Sequence, residues 1–446
     1  MKLQKYIVVI LATLSLISCN KFLDVLPKNS VSDAITIVDK SSAETALRGM
    51  YNSLASGSYY GTSFQSIGYL AGDNIARTGP GTDPSQFIDH NVTADNGTIG
   101  SSWNAIYNTI NRANHVIAKV PTVDDIRLTQ DLRNQLLGEA YFVRALAYFD
   151  LARTWGGVQI VLDPTQTVVD KIGVKRSTLA QTYAQVLKDL EAAEPLLPET
   201  VNRIRATKKT VWALRARYHL YQKEWALAET YASKIINETN NYKLIAPYNS
   251  FWANNVVATQ ESIFELAYSA ATPNSHRGSW QPPEKGGTRV WIPNNAFITL
   301  VSDSTIGGNR KTLIAKTAGG LWYGNMYYRS PATDPTYVLR IAEQLLIRSE
   351  ARTQLNKVTE ALEDLNAVRK RSGLLNKTGL SKDETLLAIE NERRIEFAYE
   401  PHRWFDLVRT GRAGAVLGVT NPNKYLMPIP ISQINADKST EQNPGY

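Results

Sequence analysis

Two stretches of this chain set aromatic rings beside carboxylate, amide and guanidinium groups on segments that read as loops. The first is Tyr69-x-x-Gly72-Asp73-Asn74-x-x-Arg77. The second runs from Trp280 through Trp291 to Trp322-Tyr323-Gly324-Asn325-Met326-Tyr327-Tyr328-Arg329. That combination suits a sugar. A pyranose presents a patch of C–H groups, which a flat ring covers, and a rim of hydroxyls, which Asp, Asn and Arg take in bidentate or networked hydrogen bonds. The competing reading is that each ring anchors its own loop.

Other residues could do chemistry in principle. Glu396 and Glu400 stand one helical turn apart on one face. A glycosidase needs two carboxylates held across the scissile bond. Here Arg393, Arg394, Arg403 and Arg409 crowd them, so ion pairs that lock helices together are the expected use. Loop carboxylates occur at Asp73, Asp83, Asp89, Asp95 and Asp334, with no spacing that singles out a pair. There is no phosphate-cradling Gly-x-x-x-x-Gly-Lys-Ser/Thr, no His-Glu-x-x-His and no Gly-x-Ser-x-Gly. Gly79-Pro80-Gly81 lacks the third glycine of a dinucleotide site. His90, His115, His219, His276 and His402 are scattered without metal-ligand spacing, and no EF-hand-like loop occurs. The chain reads as non-enzymatic, with no catalytic residue, cofactor or metal expected.

The elements that must hold the two stretches are helical. A helix is expected over Ser41–Leu54, with Ala43, Ala46, Leu47 and Met50 on one face. Residues 55–100 are rich in Gly, Ser, Thr, Asn and Asp and read as a long loop with one short helix near Ile67–Ile75. Long ordered loops in a compact protein usually serve function. Helices return from Ser102, over Gln130–Arg153 and over Ser177–Leu197, which Pro198 ends. A helix pair follows, Thr207–Tyr221 and Trp225–Ile236. Its pattern Ala216-Arg217-x-x-Leu220, then Ala226-Leu227, recurs as Ala351-Arg352-x-x-Leu355, then Ala361-Leu362. The pattern resembles the tetratricopeptide helix–turn–helix unit, a scaffold rather than a catalyst. Residues 240–335 interrupt it with Pro, Gly, Asn, many aromatics and a β-like run at Ser262–Tyr268. Further helices are expected over Val338–Leu355, Thr359–Arg371, Lys382–Tyr399 and Arg403–Thr410, before an irregular tail from Tyr425.

Composition bounds the rest. The 446 residues are 43% hydrophobic and 20% charged, which is globular rather than disordered. Net charge is +8, which could favour an acidic ligand or an anionic surface, or could simply be a solvated basic surface. No dense Lys/Arg run interleaves with aromatics, so nucleic acid is not expected as a partner. The one cysteine, Cys19, excludes internal disulfides. It follows a leader with Lys2 and Lys5 and an apolar Tyr6–Ile17, too short to span a bilayer. Leu16-Ile17-Ser18-Cys19 resembles the lipobox of bacterial lipoproteins, which implies cleavage before Cys19 and its thioether lipidation.

Several further segments are similar to one family. They are Trp103-x-x-Ile106-Tyr107-x-x-Ile110-x-x-Ala113-Asn114-x-Val116-Ile117; Glu139 to Phe149 followed by Trp155-Gly156-Gly157; Asn366-x-Val368-Arg369-x-Arg371; Glu392-Arg393-Arg394-x-Glu396-Phe397 with Glu400 and Arg403-Trp404-Phe405-Asp406-Leu407-x-Arg409; and Met427-Pro428-Ile429-Pro430 with Gln442-Asn443-Pro444-Gly445-Tyr446. Together and in this order they resemble the SusD/RagB family of outer-membrane nutrient-binding lipoproteins. Pro401-His402 departs from the glycine expected there and changes a turn. The resemblance implies a mostly α-helical fold, a right-handed superhelix of tetratricopeptide-like pairs whose long loop-rich insertions form a ligand-binding face. It implies a lipid-anchored protein at the outer membrane, facing the cell exterior, that hands a glycan to a SusC-like TonB-dependent transporter; some relatives take peptides instead. By region, Asp73, Asn74 and Arg77 fit the polar role of the early loop. Trp280, Trp291, Trp322 and Tyr323 fit the aromatic role of the later one, with Tyr327 beside them.

The expected organisation is a leader over residues 1–18, a lipidated cysteine and tether over 19–40, and one domain over 41–446. That domain carries loop insertions at about 55–100 and 240–335 and helix pairs at about 206–238 and 338–371. A surface glycoside hydrolase or a pure scaffold protein are the readings from other classes. A peptide site would rest on backbone hydrogen bonding and need fewer stacked rings.

Overall fold

A computed structural model describes residues 37–446 apart from Pro80 and Val168. The leader, Cys19 and most of the tether lie outside the described residues.

The chain opens on helix α1 (Lys40–Leu54), started by a capping box in which the Asp39 carboxylate accepts from the Ser42 amide and the Ser42 hydroxyl accepts from the Asp39 amide. The early loop holds α2 (Ser63–Leu70), strand β1 (Ile75–Arg77) and α3 (Thr82–Ile88). Then come α4 (Gly97–Lys119), α5 (Gln130–Trp155), α6 (Leu179–Leu196), α7 (Lys208–Tyr221) and α8 (Trp225–Ile236). The later insertion holds β2 (Ser262–Leu266), α9 (His276–Trp280), β3 (Trp291–Pro293), α10 (Asn295–Ser302), β4 (Ile314–Lys316), β5 (Trp322–Gly324) and β6 (Thr336–Arg340). The chain finishes with α11 (Ile341–Gln354), α12 (Val358–Arg371), α13 (Lys382–Glu396), α14 (Arg403–Arg409), α15 (Ala413–Leu417) and α16 (Ile431–Ala436).

The long helices pack in series: α1 on α4, α4 on α5, α5 on α6, α6 on α7, α7 on α8, α8 on α11, and α11 on both α12 and α13. The series skips the chain between α1 and α4, where the early loop is looped out, and between α8 and α11, where the later insertion is. This is a mostly helical, tetratricopeptide-like array. Helix α5 sits at its centre, and from Leu136 to Trp155 almost every residue is buried, as a helix covered on all sides requires. It stops at Gly156, whose φ of +82° suits glycine.

The repeated small residues do what their spacing suggests. Ala216, Leu220, Ala228, Ala232, Ile347 and Ala351 form one apolar cluster where the pair α7/α8 meets α11. The matching arginines part ways: Arg217 is buried against Glu343 at 2.6 Å, while Arg352 reaches Glu229 and Asp364, each at 3.0 Å.

Several sequence expectations shift, among them the helix expected over Lys382–Tyr399, which ends at Glu396 and leaves Glu400 in the following turn. The helix expected from Val338 starts at Ile341, because Thr336–Arg340 pairs antiparallel with Ser262–Leu266. An apolar run that leads straight into a helix gives no local sign of a strand partner seventy residues upstream. The short early helix lies at Ser63–Leu70 rather than Ile67–Ile75, since Ile75 is committed to β1. The tail contains the short helix α16.

Buried ion pairs tie the insertion to the helices. Arg340, at the end of β6, bonds Glu400 (2.6 and 3.0 Å), Glu396 (3.1 Å) and Glu261 (3.0 Å). Arg371 reaches Glu261 at 2.7 Å and also bonds Glu396, and Arg310 bonds Glu396 at 2.9 Å and Glu392. Glu396 and Glu400 are thus consumed by arginines inside the protein. The turn between α13 and α14 is equally fixed: the Pro401 backbone presses on Gly68, where any Cβ would come within 2.5 Å of it, and its carbonyl accepts from Arg153 at 3.2 Å.

Candidate loop-face binding site

The two stretches singled out from the sequence meet in space. Strand β1 from the early loop pairs antiparallel with β3 from the insertion, and Arg77 is the cross-strand partner of Trp291. The seam continues on both sides. Thr78 N donates to Val290 O (2.9 Å), Thr78 Oγ1 to Arg289 O (2.6 Å), and Asn294 N to Asn74 O (2.9 Å). Strand β5 packs beside β3 and forms a hairpin with β4, in which Lys316 opposes Trp322.

Beneath this seam the rings form a single buried cluster. Trp280 lies 5.5 Å from Tyr69, 5.7 Å from Trp291 and 4.4 Å from Tyr399, centroid to centroid. Its ring lies so close to β5 that a Cβ on Gly324 would come within 2.5 Å of it. Tyr327 stacks on His276 at 4.4 Å, and His276 Nε2 and the Tyr69 hydroxyl share a hydrogen bond of 2.5 Å. Burial holds the His276 pKa down at about 3, so the ring is neutral.

Each candidate residue can now be placed. Trp280, Trp291, Tyr323, Tyr327 and Asn74 are buried, so in this conformation they form the floor of the loop face. For Trp280 and Tyr327 the loop-anchor reading fits the packing, because their faces are taken by protein rings. Asn74 is spent on Arg394: its Oδ1 accepts from Nε at 2.8 Å, and its Nδ2 donates to the Arg394 carbonyl at 3.0 Å. Asp73 is gripped by Arg403 at 2.7 and 2.9 Å. Both side chains position the loop, and the sequence could not show this because their partners lie some 320 residues away. Arg77 and Trp322 are half-exposed at the seam.

The exposed rim contains residues that the sequence reading did not select. Arg289 donates from Nε to the Trp322 carbonyl at 2.8 Å. The Lys316 ammonium lies 4.4 Å from the Trp322 ring, and the Lys285 ammonium 5.1 Å from the Tyr323 ring. The available signal was the excess of basic over acidic residues in the later insertion, spaced too widely to read as a run.

Two hollows elsewhere on the molecule are differently lined. One of about 660 Å³ lies between α7/α8, α11, α13 and α14, with the ion pairs Arg393–Asp406 and Arg409–Glu350 among its lining. Another, of about 610 Å³ between α1 and α4, is lined by Asn52, Ser53, Ser56, Asn104, Asn108 and Arg112 and by no ring. The first hollow includes one ring, Trp225, set among helix residues, whereas the loop face carries Trp322 above a cluster of buried rings.

The chain resembles known proteins along most of its length. A SusD-like family model, described as starch-binding and associating with the outer membrane, matches residues 21–220, and the SusD/RagB model, described as the SusD family, matches residues 302–424. SusD-like protein P38 of Formosa agariphila is 28% identical over 491 aligned positions, covering 96% of each chain. The starch-binding protein SusD of Bacteroides thetaiotaomicron is 27% identical over 374 positions, covering 61% of this chain and 66% of that one. Among solved structures, a SusD superfamily protein from Bacteroides vulgatus superposes with a TM-score of 0.81 at 19% identity, covering 91% of this chain and 99% of that one. A laminarin-binding SusD-like protein superposes with a TM-score of 0.80 at 23% identity, covering 92% of this chain and 100% of that one. With two models of one family matched in order on a fold shared with its solved members, the chain belongs to the SusD/RagB family.

Proposed function

We propose that this protein is a cell-surface glycan-binding lipoprotein that captures an oligo- or polysaccharide on its loop face and passes it to a SusC-like TonB-dependent transporter. The observation that carries the reading is the placement of Trp322. It is a half-exposed indole on the β4–β5 hairpin, its carbonyl bonded by Arg289 and its strand packed beside β3, whose partner β1 carries Arg77, over a floor of buried rings. A sugar laid on Trp322 gains apolar contact, and the flanking guanidinium groups offer donors to its hydroxyls. Asp73 and Asn74 serve the same site by fixing the turn before β1.

The relatives support the ligand class, since one is named as starch-binding and one as laminarin-binding. They support the place of action as well. No described helix is long and apolar enough to cross a membrane, and attachment falls to the lipid that the lipobox resemblance assigns to Cys19. The proposed organisation is the leader, the tether and one domain from residue 41. The role is binding, not catalysis: Glus 396 and 400 hold arginines in the interior.

The test is binding of neutral and acidic polysaccharides and of a peptide pool, with Trp322→Ala beside the parent. Glycan binding that Trp322→Ala weakens more than tenfold supports the reading. Retention of peptides with no glycan bound would overturn it in favour of a peptide-uptake role.

A further inference from the structure

We infer that the ligand is a polyanionic glycan, carrying carboxylate or sulfate groups, and that Arg77, Lys285, Arg289 and Lys316 recognise its charge. The inference rests on the loop-face reading above and adds the substrate class.

Charge in this protein is distributed unevenly. Arginines of the helical array are neutralised: Arg144, Arg153, Arg217 and Arg409 each hold a carboxylate at 2.6–2.7 Å. Residues 271–330 carry Arg277, Lys285, Arg289, Arg310, Lys311, Lys316 and Arg329 against Glu284 and Asp303 alone. Arg310 and Arg329 are buried on Glu392, Glu396 and Asp334. The others, and Arg77 beside them, have no carboxylate ion-pair partner among the described residues. Arg77 bonds the backbone carbonyl of Gly79 and Arg277 that of Lys285, with the Asp334 carboxylate acting on Arg277 only at a distance. The two acids do little to offset this. Asp303 is turned onto the hydroxyl and amide of Thr305 (2.7 and 2.8 Å), and Glu284 lies exposed next to Lys285.

These cations are not scattered over the surface. Lys316 lies over Trp322, Lys285 lies over Tyr323, and Arg289 is bonded to the backbone between the two rings. Successive residues of a strand face opposite ways, so the β5 hairpin carries a lysine on each side and an arginine at its edge. Arg77 sits across β3 from that edge. A neutral sugar stacked on Trp322 would have to displace an ammonium group and gain from it only a hydrogen bond to a neutral hydroxyl. A uronate or sulfate ester stacked there would draw the same ammonium into a charge-assisted hydrogen bond, and neighbouring repeats of the polymer would meet the next cation.

The experiment is a binding titration of the full chain against a neutral β-glucan, a polyuronate and a sulfated galactan, at 20 mM and 300 mM salt. The variants are the triple Lys285→Ala/Arg289→Gln/Lys316→Ala and the control Lys370→Ala/Lys377→Ala/Lys438→Ala, whose lysines are exposed on other surfaces. Melting temperatures confirm that both variants fold. The expected result is tight binding of one polyanion, weakened about tenfold or more by salt and by the loop-face triple, and unchanged by the control. The polyuronate and galactan arms tell carboxylate from sulfate. Equal losses in the two triples would show diffuse attraction and overturn the inference. So would preference for the β-glucan with the loop-face triple silent, though glycan capture itself would then stand. Failure to bind any of the three would overturn both.

Discussion

The guanidinium of Arg403 holds the carboxylate of Asp73 in a two-pronged pair, 2.7 Å to one oxygen and 2.9 Å to the other, across 330 residues of sequence. It fastens α14 to the turn that launches β1. A carboxylate that looks like a sugar ligand in the sequence is therefore a clamp that sets where Arg77 emerges. Gly72 makes room for it, since a Cβ there would come within 2.9 Å of the Arg403 side chain.

That clamp predicts an acid-dependent stability term. Burial pushes the Asp73 pKa up, but the hydrogen bond and charge of Arg403 and the charge of Arg394 outweigh it, and the carboxyl titrates below its usual range. A depressed carboxylate pKa contributes stability above the unfolded value near 4, and the contribution is lost as pH falls through the folded value. Asp73→Asn should cost about 1–2 kcal/mol at pH 7, and less at pH 3, by denaturant titration at both. Equal costs would show that the charge is not what matters.

Trp280 and Trp322 should separate floor from surface. Trp280→Ala removes a ring enclosed by Tyr69, Trp291 and Tyr399 and should cost about 3–5 kcal/mol of folding stability. Trp322→Ala should change stability by less than about 1.5 kcal/mol while weakening glycan binding. Calorimetric unfolding and binding titrations on both variants check this; a stability loss for Trp322→Ala as large as for Trp280→Ala would contradict the assignment.

Glu396 predicts a large stability effect with a simple cause. Burial opposes its charge, yet Arg371, Arg310 and Arg340 together bring its pKa down to about 2. Glu396→Gln strips a counter-charge from three buried guanidinium groups and should cost about 3–5 kcal/mol by urea unfolding at neutral pH. A near-neutral result would mean that Glu261, Glu392 and Glu400 suffice without it.

His276 should make the folded state sensitive to mild acid. Its pKa is about 3 folded against 6.5 in the open chain, so the unfolded state binds the extra proton between those values. Stability should fall with decreasing pH across that window, by up to about 1.4 kcal/mol per pH unit from this group. The melting temperature of His276→Gln, lower at neutral pH, should vary less steeply between pH 6 and pH 4 than that of the parent. Parallel profiles would rule the histidine out as the source.

Cys19→Ser should release the protein from the membrane fraction, because attachment is proposed to rest on the acyl chains at that sulfur. Fractionation of cells that produce each form, followed by mass measurement of the membrane-bound chain, checks it.

Much of this protein was legible from its residues in order. Helix starts and stops follow caps, prolines and periodic apolar positions, so α1, α7, α8 and α13 begin within a residue of their expected places. The Ala216 and Ala351 repeats announced two helices in close approach, and the ordered family segments announced the array. That the two rich stretches would meet came only from the family resemblance, and in the structure both flank the Arg77–Trp291 seam. What the sequence could not rank was the depth of each ring. Trp280, Trp291 and Trp322 are the same residue in similar loops, and only the packing of Tyr69, Tyr399 and Gly324 buries the first two and leaves the third at the surface. Likewise Asp73 and Lys316 are merely charged in the sequence. Arg403 neutralises one, nothing among the described residues neutralises the other, and that difference depends on partners brought together across hundreds of residues by the fold.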